Sequence, residues 1–310
     1  MSNRVSLFSL IILTLSLPTY AQQSDDASWL DAFHQNVAES VNDSALWFDE
    51  FFMLDKDRSP EQALGEARIQ LGWSPRSREL NEFESRLKLR YKLPNLKNRV
   101  DLVFSDYDDE QADSPLQNTK IDNRSEQNRF SLALQWKAKP DSGLSHRIGI
   151  GRRLQPFVKS RYRSTLTLSP QADLRFDTSA YYYSNDGFGT DFTLRYSYVF
   201  TPQTMFRFNN QFYFRDETND WLWQHSLQHL IQINDKNALI SGVYIEGLSR
   251  PNYHTEEYLV SNRWRVNALR DWLFFEVEPF IMWRKDEQFS ASYGVSLRVE
   301  GFFEIGRAHV

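Results

Sequence analysis

The sequence predicts an all-β fold, an antiparallel up-and-down barrel whose strands cross a membrane. Three features support this prediction: a short apolar segment at the N-terminus, many aromatic residues in a hydrophilic chain, and many segments in which apolar and polar residues alternate. Aromatic residues make up 15% of the chain, yet the mean hydropathy is −0.58. A barrel that turns rings toward lipid and polar side chains toward its lumen has this composition.

The first 21 residues are typical of an export signal. Arg4 supplies a positive charge, residues 7–17 form a short apolar run, and Thr19-Tyr20-Ala21 resembles a signal-peptidase site. The run is shorter than the ~20 residues of a transmembrane helix, and Pro18 would break a longer one. We therefore expect cleavage after residue 21; the alternative is a retained N-terminal anchor.

Residues 22–64 predict an amphipathic helical extension, for which Asp26 is placed as an N-cap. Apolar residues then recur at helical spacing. They are Trp29, Leu30, Phe33, Val37, Val41, Ala45, Phe48 and Phe52. This pattern predicts one or two helices that lie against the periplasmic rim of the barrel or enter its mouth. A leader that packs only weakly is the alternative.

Residues 65–303 change to a period of two, which is typical of strands with two different faces. In 82–93, for example, Leu87 and Leu89 share one face while Lys88 and Arg90 share the other. The predicted strands are 66–73, 82–93, 99–107, 128–138, 144–153, 157–168, 171–183, 189–200, 204–215, 221–233, 238–247, 255–266, 272–283 and 289–303. These are fourteen, an even number as expected of a bacterial barrel. Twelve is the alternative, because 144–153 and 238–247 alternate poorly.

The connections sort into two classes. If the C-terminus is periplasmic, short turns such as Ser169-Pro170-Gln171 and Thr201-Pro202-Gln203 all lie on the periplasmic side. The longest link, 108–127, then lies outside the cell. Short periplasmic turns and longer extracellular loops are the asymmetry expected of such barrels.

The last predicted strand carries the most specific pattern. Every second residue counting back from Phe303, with the exception of Gly301, is apolar or aromatic. These residues are Val299, Leu297, Val295, Tyr293, Ala291 and Phe289. The pattern resembles the C-terminal signature of Gram-negative outer-membrane β-barrels of the porin type, and residues 1–21 and 65–303 resemble this class as a whole.

The resemblance implies a place in the cell outer membrane, contact with its lipids and lipopolysaccharide, and recognition of the last strand by the barrel-assembly machinery. It also implies a role in transport. The soluble alternative is a periplasmic β-sandwich or lipocalin-like barrel. That alternative would have fewer strands, with aromatic residues on the inward face only.

Basic residues concentrate on the predicted lumen faces. They are Arg86, Lys88, Arg90 and Lys92; Lys159, Arg161 and Arg163; and Arg195, Arg207, Arg263 and Arg265. Ladders of basic residues in a pore raise the local concentration of anions, which predicts a passive channel for small polar or anionic solutes. Carboxylates share these faces: Glu84, Asp101, Asp173, Asp177, Asp191, Glu257, Glu276 and Glu278. In a narrow lumen they would pair with the cations and close it, so a closed barrel with a structural or adhesive role is an alternative.

A lipid-modifying barrel enzyme is the other alternative. His225 and Ser226 are adjacent on a predicted strand, so their side chains point to opposite faces and cannot act as base and nucleophile. His225 and His229 share the predicted lipid face but lie too far apart to hold one metal ion. We therefore predict no catalytic residues, no metal site and no cofactor.

The remaining composition narrows the partners. The chain has no cysteine, which excludes disulfides, thiolate metal sites and a lipid-modified Cys. A net charge of −5 suggests no nucleic-acid partner. Carboxylates cluster at the start of the longest link: Asp106, Asp108, Asp109, Glu110 and Asp113. They would either bind divalent cations that bridge lipopolysaccharide or form a solvated loop.

Residues 304–310 break the alternation directly after Phe303. Their back-translation resembles a sequencing-library adapter read in frame. We therefore expect strand pairing to stop at about residue 303, and the last seven residues to be a tail of non-biological origin.

Overall fold

The computed structural model describes residues 65–80, 83–92, 100–105, 130–137 and 143–305. Their strands form one closed antiparallel barrel in up-and-down order, with the first strand paired to the last. The strands are β1 (Gly65–Trp73), β2 (Phe83–Lys92), β3 (Val100–Ser105), β4 (Ser131–Lys137), β5 (Leu144–Gly151), β6 (Gln155–Ser169), β7 (Ala172–Tyr183), β8 (Gly187–Thr201), β9 (Thr204–Arg215), β10 (Asp220–Asn234), β11 (Asn237–Leu248), β12 (His254–Arg270), β13 (Leu273–Arg284) and β14 (Ala291–Ile305).

All fourteen predicted strands are confirmed, and the alternative of twelve is wrong. The two segments that alternate poorly form β5 and β11. Each has a glycine facing the lumen where the pattern would place a polar side chain. A Cβ at Gly149 would lie 2.2 Å from the carbonyl oxygen of Leu132, and one at Gly242 would lie 2.4 Å from the hydroxyl of Tyr244. Close packing inside the barrel therefore explains the weak alternation.

The two faces of the wall differ as the alternation predicts. In β12, Leu259, Ser261 and Arg263 are buried inside, whereas Tyr258 and Val260 are exposed outside. Within the described strands, the only Asp, Glu, Lys or Arg side chains on the outward face are Glu256 and Arg270, near the two ends of β12. A charge on the lipid face costs about 2–4 kcal/mol at the bilayer midplane, so the outer wall has the composition of a membrane-spanning surface.

Exposed aromatic rings also cover the outer wall. Trp136, Tyr196 and Phe208 are examples on three separate strands. The soluble alternative expected aromatic residues on the inward face only, and it is therefore wrong. Separately, no helix in the described part of the chain is long and apolar enough to cross a bilayer.

The buried apolar core lies inside the barrel, in separate layers. One layer is near the end with the short turns: Val199, Met205, Leu230, Ala238, Ile240 and Phe274. Another is near the opposite end: Ala133, Phe157, Tyr181, Tyr183 and Tyr213. Most of the buried charged side chains lie between these layers.

The two ends of the barrel differ in their connections. Two-residue turns join β6 to β7, β8 to β9, β10 to β11 and β12 to β13 at one end, where β1 also begins and β14 ends. The connections that the structure describes at the other end are all longer than two residues. This is the predicted asymmetry, and we call the two ends the turn end and the loop end.

Strand β14 continues past the predicted boundary. Glu304 pairs with Glu66 and Ile305 with Gly65, so the expectation that pairing stops at residue 303 is wrong by two residues. The alternation of residues ends at Phe303, but the start of β1 provides backbone partners for residues 304 and 305. The strand therefore continues beyond the sequence pattern. The predicted signal, the helical extension, the acidic loop cluster and residues 306–310 lie outside the described residues.

Candidate functional site: the charged lumen

The inward faces of the barrel carry an excess of positive charge, although the whole chain has a net charge of −5. Inward positions of the described strands, counted through Phe303 in the last strand, hold eighteen basic and twelve acidic side chains. The charges are unevenly divided between two walls. We call β2–β9 the basic wall, with thirteen basic and five acidic residues, and β10–β14 with β1 the mixed wall, with five basic and seven acidic residues.

The basic wall consists of Arg86, Lys88, Arg90, Lys92, Lys137, Arg147, Lys159, Arg161, Arg163, Arg175, Arg195, Arg207 and Arg215, with Glu84, Asp101, Asp173, Asp177 and Asp191. All nine residues predicted to line an anion path are among them. Lys88, Arg90, Lys159 and Arg207 are buried, and the other five are half-buried. The alternation by which their strands were predicted also predicted that these nine side chains face the lumen. The sequence analysis did not identify Lys137, Arg147, Arg175 and Arg215, because none of them belongs to a run of alternating basic residues on one strand.

Carboxylates of the basic wall are held by the neighbouring cations. Asp177 accepts hydrogen bonds from Arg161 through both oxygens, each at 2.7 Å, and from Arg163 at 2.8 Å. Arg90 is paired with Asp101 at 2.9 Å. The predicted pairing of inward charges therefore occurs. Because basic residues outnumber acidic ones thirteen to five on this wall, pairing within the wall leaves its net charge positive.

The mixed wall contains a buried network of four arginines and three glutamates. Arg298 donates to Glu276 at 3.0 Å and to Glu278 at 2.9 Å. Arg265 donates to Glu276 at 2.6 Å and to Glu300 at 2.7 Å. Arg263 and Arg68 complete the network through Glu278 and Glu300 respectively. The network ties β12, β13, β14 and β1 together across the seam of the barrel.

Sequence reasoning found only part of this network. Arg263, Arg265, Glu276 and Glu278 were assigned to the lumen, but Arg68, Arg298 and Glu300 were not singled out. Their signal is present in the last strand, where Ser296, Arg298 and Glu300 alternate with Leu297 and Val299. Their partners on β1 and β12 become neighbours only when the barrel closes.

Aromatic side chains are buried on the inward face of the basic wall near the loop end. The hydroxyl of Tyr181 donates to that of Tyr213 at 2.7 Å. Lys159 Nζ lies 5.8 Å from the centre of the Tyr181 ring, and the guanidinium of Arg215 lies 5.2 Å from that of Tyr213. Cations over ring faces are attracted by the ring quadrupole, so these rings help to fix the positions of two of the cations.

A second set of charges links two loops at the loop end. Arg76, between β1 and β2, donates to Glu79 at 2.7 Å and also pairs with Glu287, between β13 and β14. Arg78 donates to Glu287 at 2.9 Å. Partial burial opposes ionisation of Glu287, but Arg76 and Arg78 outweigh it and hold the pKa of this carboxyl below its usual value. Glu287 therefore stays ionised and joins the two loops.

The structure gives no support to catalysis at His225. Its Nδ1 donates to Oδ1 of Asn210 at 2.7 Å on the outward face, whereas Ser226 accepts a hydrogen bond from Asn209 on the inward face. The prediction that His225 and Ser226 point to opposite faces is confirmed. The described ring neighbours of His225 are Trp223 and Phe212, neither of which is a nucleophile. No group of three or more His, Asp or Glu residues in the described ranges could hold a metal ion.

Comparison with known proteins gives structural similarity only. No family model matches the sequence, and no curated protein matches it. The barrel is similar to the outer membrane channel DcaP of Acinetobacter baumannii, with 8% identity, a TM-score of 0.46, and 77% of this chain and 96% of that chain covered.

Two further solved structures give similar values. The anion-selective porin from Comamonas acidovorans has 8% identity and a TM-score of 0.44, with 77% of this chain and 98% of that chain covered. The CymD monoaromatic hydrocarbon channel has 7% identity and a TM-score of 0.44, with 81% and 90% covered. At these identities and scores the similarities assign no substrate.

Proposed function

We propose that this protein is a passive channel of the Gram-negative outer membrane that favours small anionic solutes. The observation that carries the proposal is the excess of thirteen basic over five acidic side chains on the inward faces of β2–β9. Fixed positive charge along a confined path concentrates anions and lowers their electrostatic barrier. Asp101 and Asp177 on the same wall are bound to arginines, which limits their attraction for cations.

The outer-membrane location is supported by the physics of the wall. A closed antiparallel barrel leaves no strand edge unpaired in lipid, and the outward face is almost free of charge. The export signal predicted in residues 1–21 agrees with this location. Contacts with lipid and lipopolysaccharide follow from it, and the alternating outward residues of β14 favour recognition by the assembly machinery.

The path for anions would follow the basic wall. Three glutamates of the mixed wall are bound in the network of Arg298 and Arg265, and acidic residues outnumber basic ones seven to five on this wall. The electrostatic energy of an anion that crosses the lumen is therefore lowest along β2–β9, where the potential is most positive. This asymmetry gives the proposal a specific test, because the same charge change should have different effects on the two walls.

The experiment is a reversal-potential measurement in planar bilayers with a KCl gradient. The protein should be anion-selective, and the combined replacements Lys88→Gln, Lys92→Gln and Arg195→Gln should shift the reversal potential toward zero. These three leave the Asp177 and Asp101 pairs intact. Arg284→Gln, a matched change on the mixed wall, should have a smaller effect than Arg195→Gln alone.

Three outcomes would contradict the proposal. The first is cation selectivity of the wild type, and the second is an equal effect of Arg195→Gln and Arg284→Gln. The third is absence of conductance both in the full chain and after deletion of residues 22–64, which would favour a closed barrel with a structural or adhesive role.

A further inference from the structure

Five polar side chains lie on the outward faces of β9–β12, near the middle of those strands. They are Asn210, His225, His229, Ser241 and Asn262. Each lies within two residues of the midpoint of its strand, and Asn262 is the central residue of β12. The apolar band of a membrane barrel is about 25 Å tall, so side chains at these positions face the hydrocarbon region.

Three of the five form a continuous row across adjacent strands. His229 pairs in register with Ser241, and Ser241 pairs with Asn262. We call these three residues the polar row. Neighbouring strands are about 4.8 Å apart, so the row places imidazole, hydroxyl and amide groups side by side on the outer wall.

His229 and Asn262 differ from the other outward Asn and His side chains in their hydrogen bonding. His225 is bonded to Asn210, His146 to Ser160, and the terminal Asn237 to Asn234. Of the outward Asn and His side chains in the described strands, His229 and Asn262 make no hydrogen bond, and the Ser241 hydroxyl makes none either. Lipid chains offer no donor or acceptor at this depth, so the row is unsatisfied on an isolated barrel in a bilayer.

We propose that the polar row is the centre of an interface with a second copy of this chain. Amide, hydroxyl and neutral imidazole groups each donate and accept, so the row is complementary to itself. Two copies with the same orientation in one membrane can therefore satisfy each other, as polar side chains do between membrane helices. The exposed apolar residues Leu227, Val243 and Val260 flank the row and complete the contact surface.

The opposite side of the barrel lacks these features. Strand β4 lies seven strands from β11 in either direction around the ring of fourteen. Its outward residues are Leu132, Leu134 and Trp136, all exposed and apolar except for the Trp indole nitrogen. That side is suited to lipid, which makes it a matched control for the proposed interface.

The test uses single cysteines, because the chain has none of its own. Ser241→Cys and, as control, Leu134→Cys are reconstituted in phospholipid vesicles at the same protein density and treated at alkaline pH with a short, membrane-permeant bismaleimide. Equal labelling of both variants by a membrane-permeant monomaleimide first shows that both thiols react. Ser241→Cys should give a crosslinked product of twice the chain mass, and Leu134→Cys should remain monomeric. Equal crosslinking of the two, or none at Ser241→Cys, would overturn the proposal.

A second variant tests whether the hydrogen-bonding groups of the polar row cause the association, as opposed to random encounters of barrels in the membrane. His229→Leu and Asn262→Leu, added to Ser241→Cys, should reduce dimer formation roughly tenfold, the effect of losing two hydrogen bonds of the size measured between membrane helices. Unchanged mobility of the unheated protein on gels controls for folding. Undiminished crosslinking would contradict a role for the row, and a product of another mass in native outer membranes would identify a different protein as the partner.

Discussion

Glu278 is fully buried in the lumen and holds two arginines and a serine at once. It accepts hydrogen bonds from Ser261 at 2.7 Å, from Arg263 at 3.1 Å and from Arg298 at 2.9 Å. A buried charge is tolerated only when it is paired and hydrogen-bonded. Removal of this carboxylate would leave Arg263 and part of Arg298 without compensation inside the barrel.

We expect Glu278→Gln to lower the free energy of unfolding by about 3–5 kcal/mol, the usual cost of breaking a buried ion pair. Urea unfolding in lipid vesicles measures the effect. The control is Asp286→Asn, since Asp286 is exposed and paired with Arg284 at 2.8 Å; it should cost about 0–1 kcal/mol. Equal costs for the two variants would show that the network contributes nothing beyond surface pairing.

Glycines explain where the strand pattern is irregular. Gly149 in β5 faces the lumen, and a Cβ there would lie 2.2 Å from the Leu132 carbonyl oxygen and 2.7 Å from Ala133 Cα, both backbone atoms of β4. Gly301 in β14 faces outward, and the nearest atom to an added Cβ is a ring atom of Phe303 at 3.2 Å. The ring of Phe303 also contacts Trp272, so Gly301 makes room for an aromatic pair at the turn end.

These two positions should respond differently to the same change. Gly149→Ala forces the backbones of β4 and β5 apart and should destabilise the barrel by about 1–3 kcal/mol, as overpacking does. Gly301→Ala meets only a movable side chain and should cost about 1 kcal/mol or less. Urea unfolding midpoints compare the two. A larger cost at Gly301 than at Gly149 would contradict this explanation.

The elements themselves were predictable because a period of two is a local property. Even β5 and β11, where the alternation is weakest, were recognisable as strands. The short turns follow every second strand, so they also identified the turn end of the barrel. Boundaries were less predictable: β12 continues to Arg270, four residues past the alternating stretch. Pairing with β13 carries it there, through the contact of Arg270 with Leu273, and no local signal encodes that.

The distribution of charge is a property of the whole barrel. Alternation predicted which face each ladder occupies, but not that the basic residues collect on one wall. Arg68 meets Glu300 because β1 closes onto β14, and Arg265 meets the same carboxylate from β12. Arg68 and Glu300 are 232 positions apart in the sequence, and they come into contact only because the first and last strands pair and close the barrel. The pairing of Arg68 with Glu300 was therefore out of reach of the sequence, whereas the ladders on β2 and β6 were not.

The central claim is a closed barrel whose inward faces form a positively charged lumen. The most direct measurement is the rate at which single cysteines react with anionic and cationic methanethiosulfonates in vesicles. Thr193→Cys and Leu194→Cys are adjacent in the middle of β8, the first half-buried on the inward face and the second outward. We expect Thr193→Cys to react, faster with the anionic reagent, and Leu194→Cys to be inert to both. Faster reaction with the cationic reagent, or reaction at Leu194→Cys, would contradict the account.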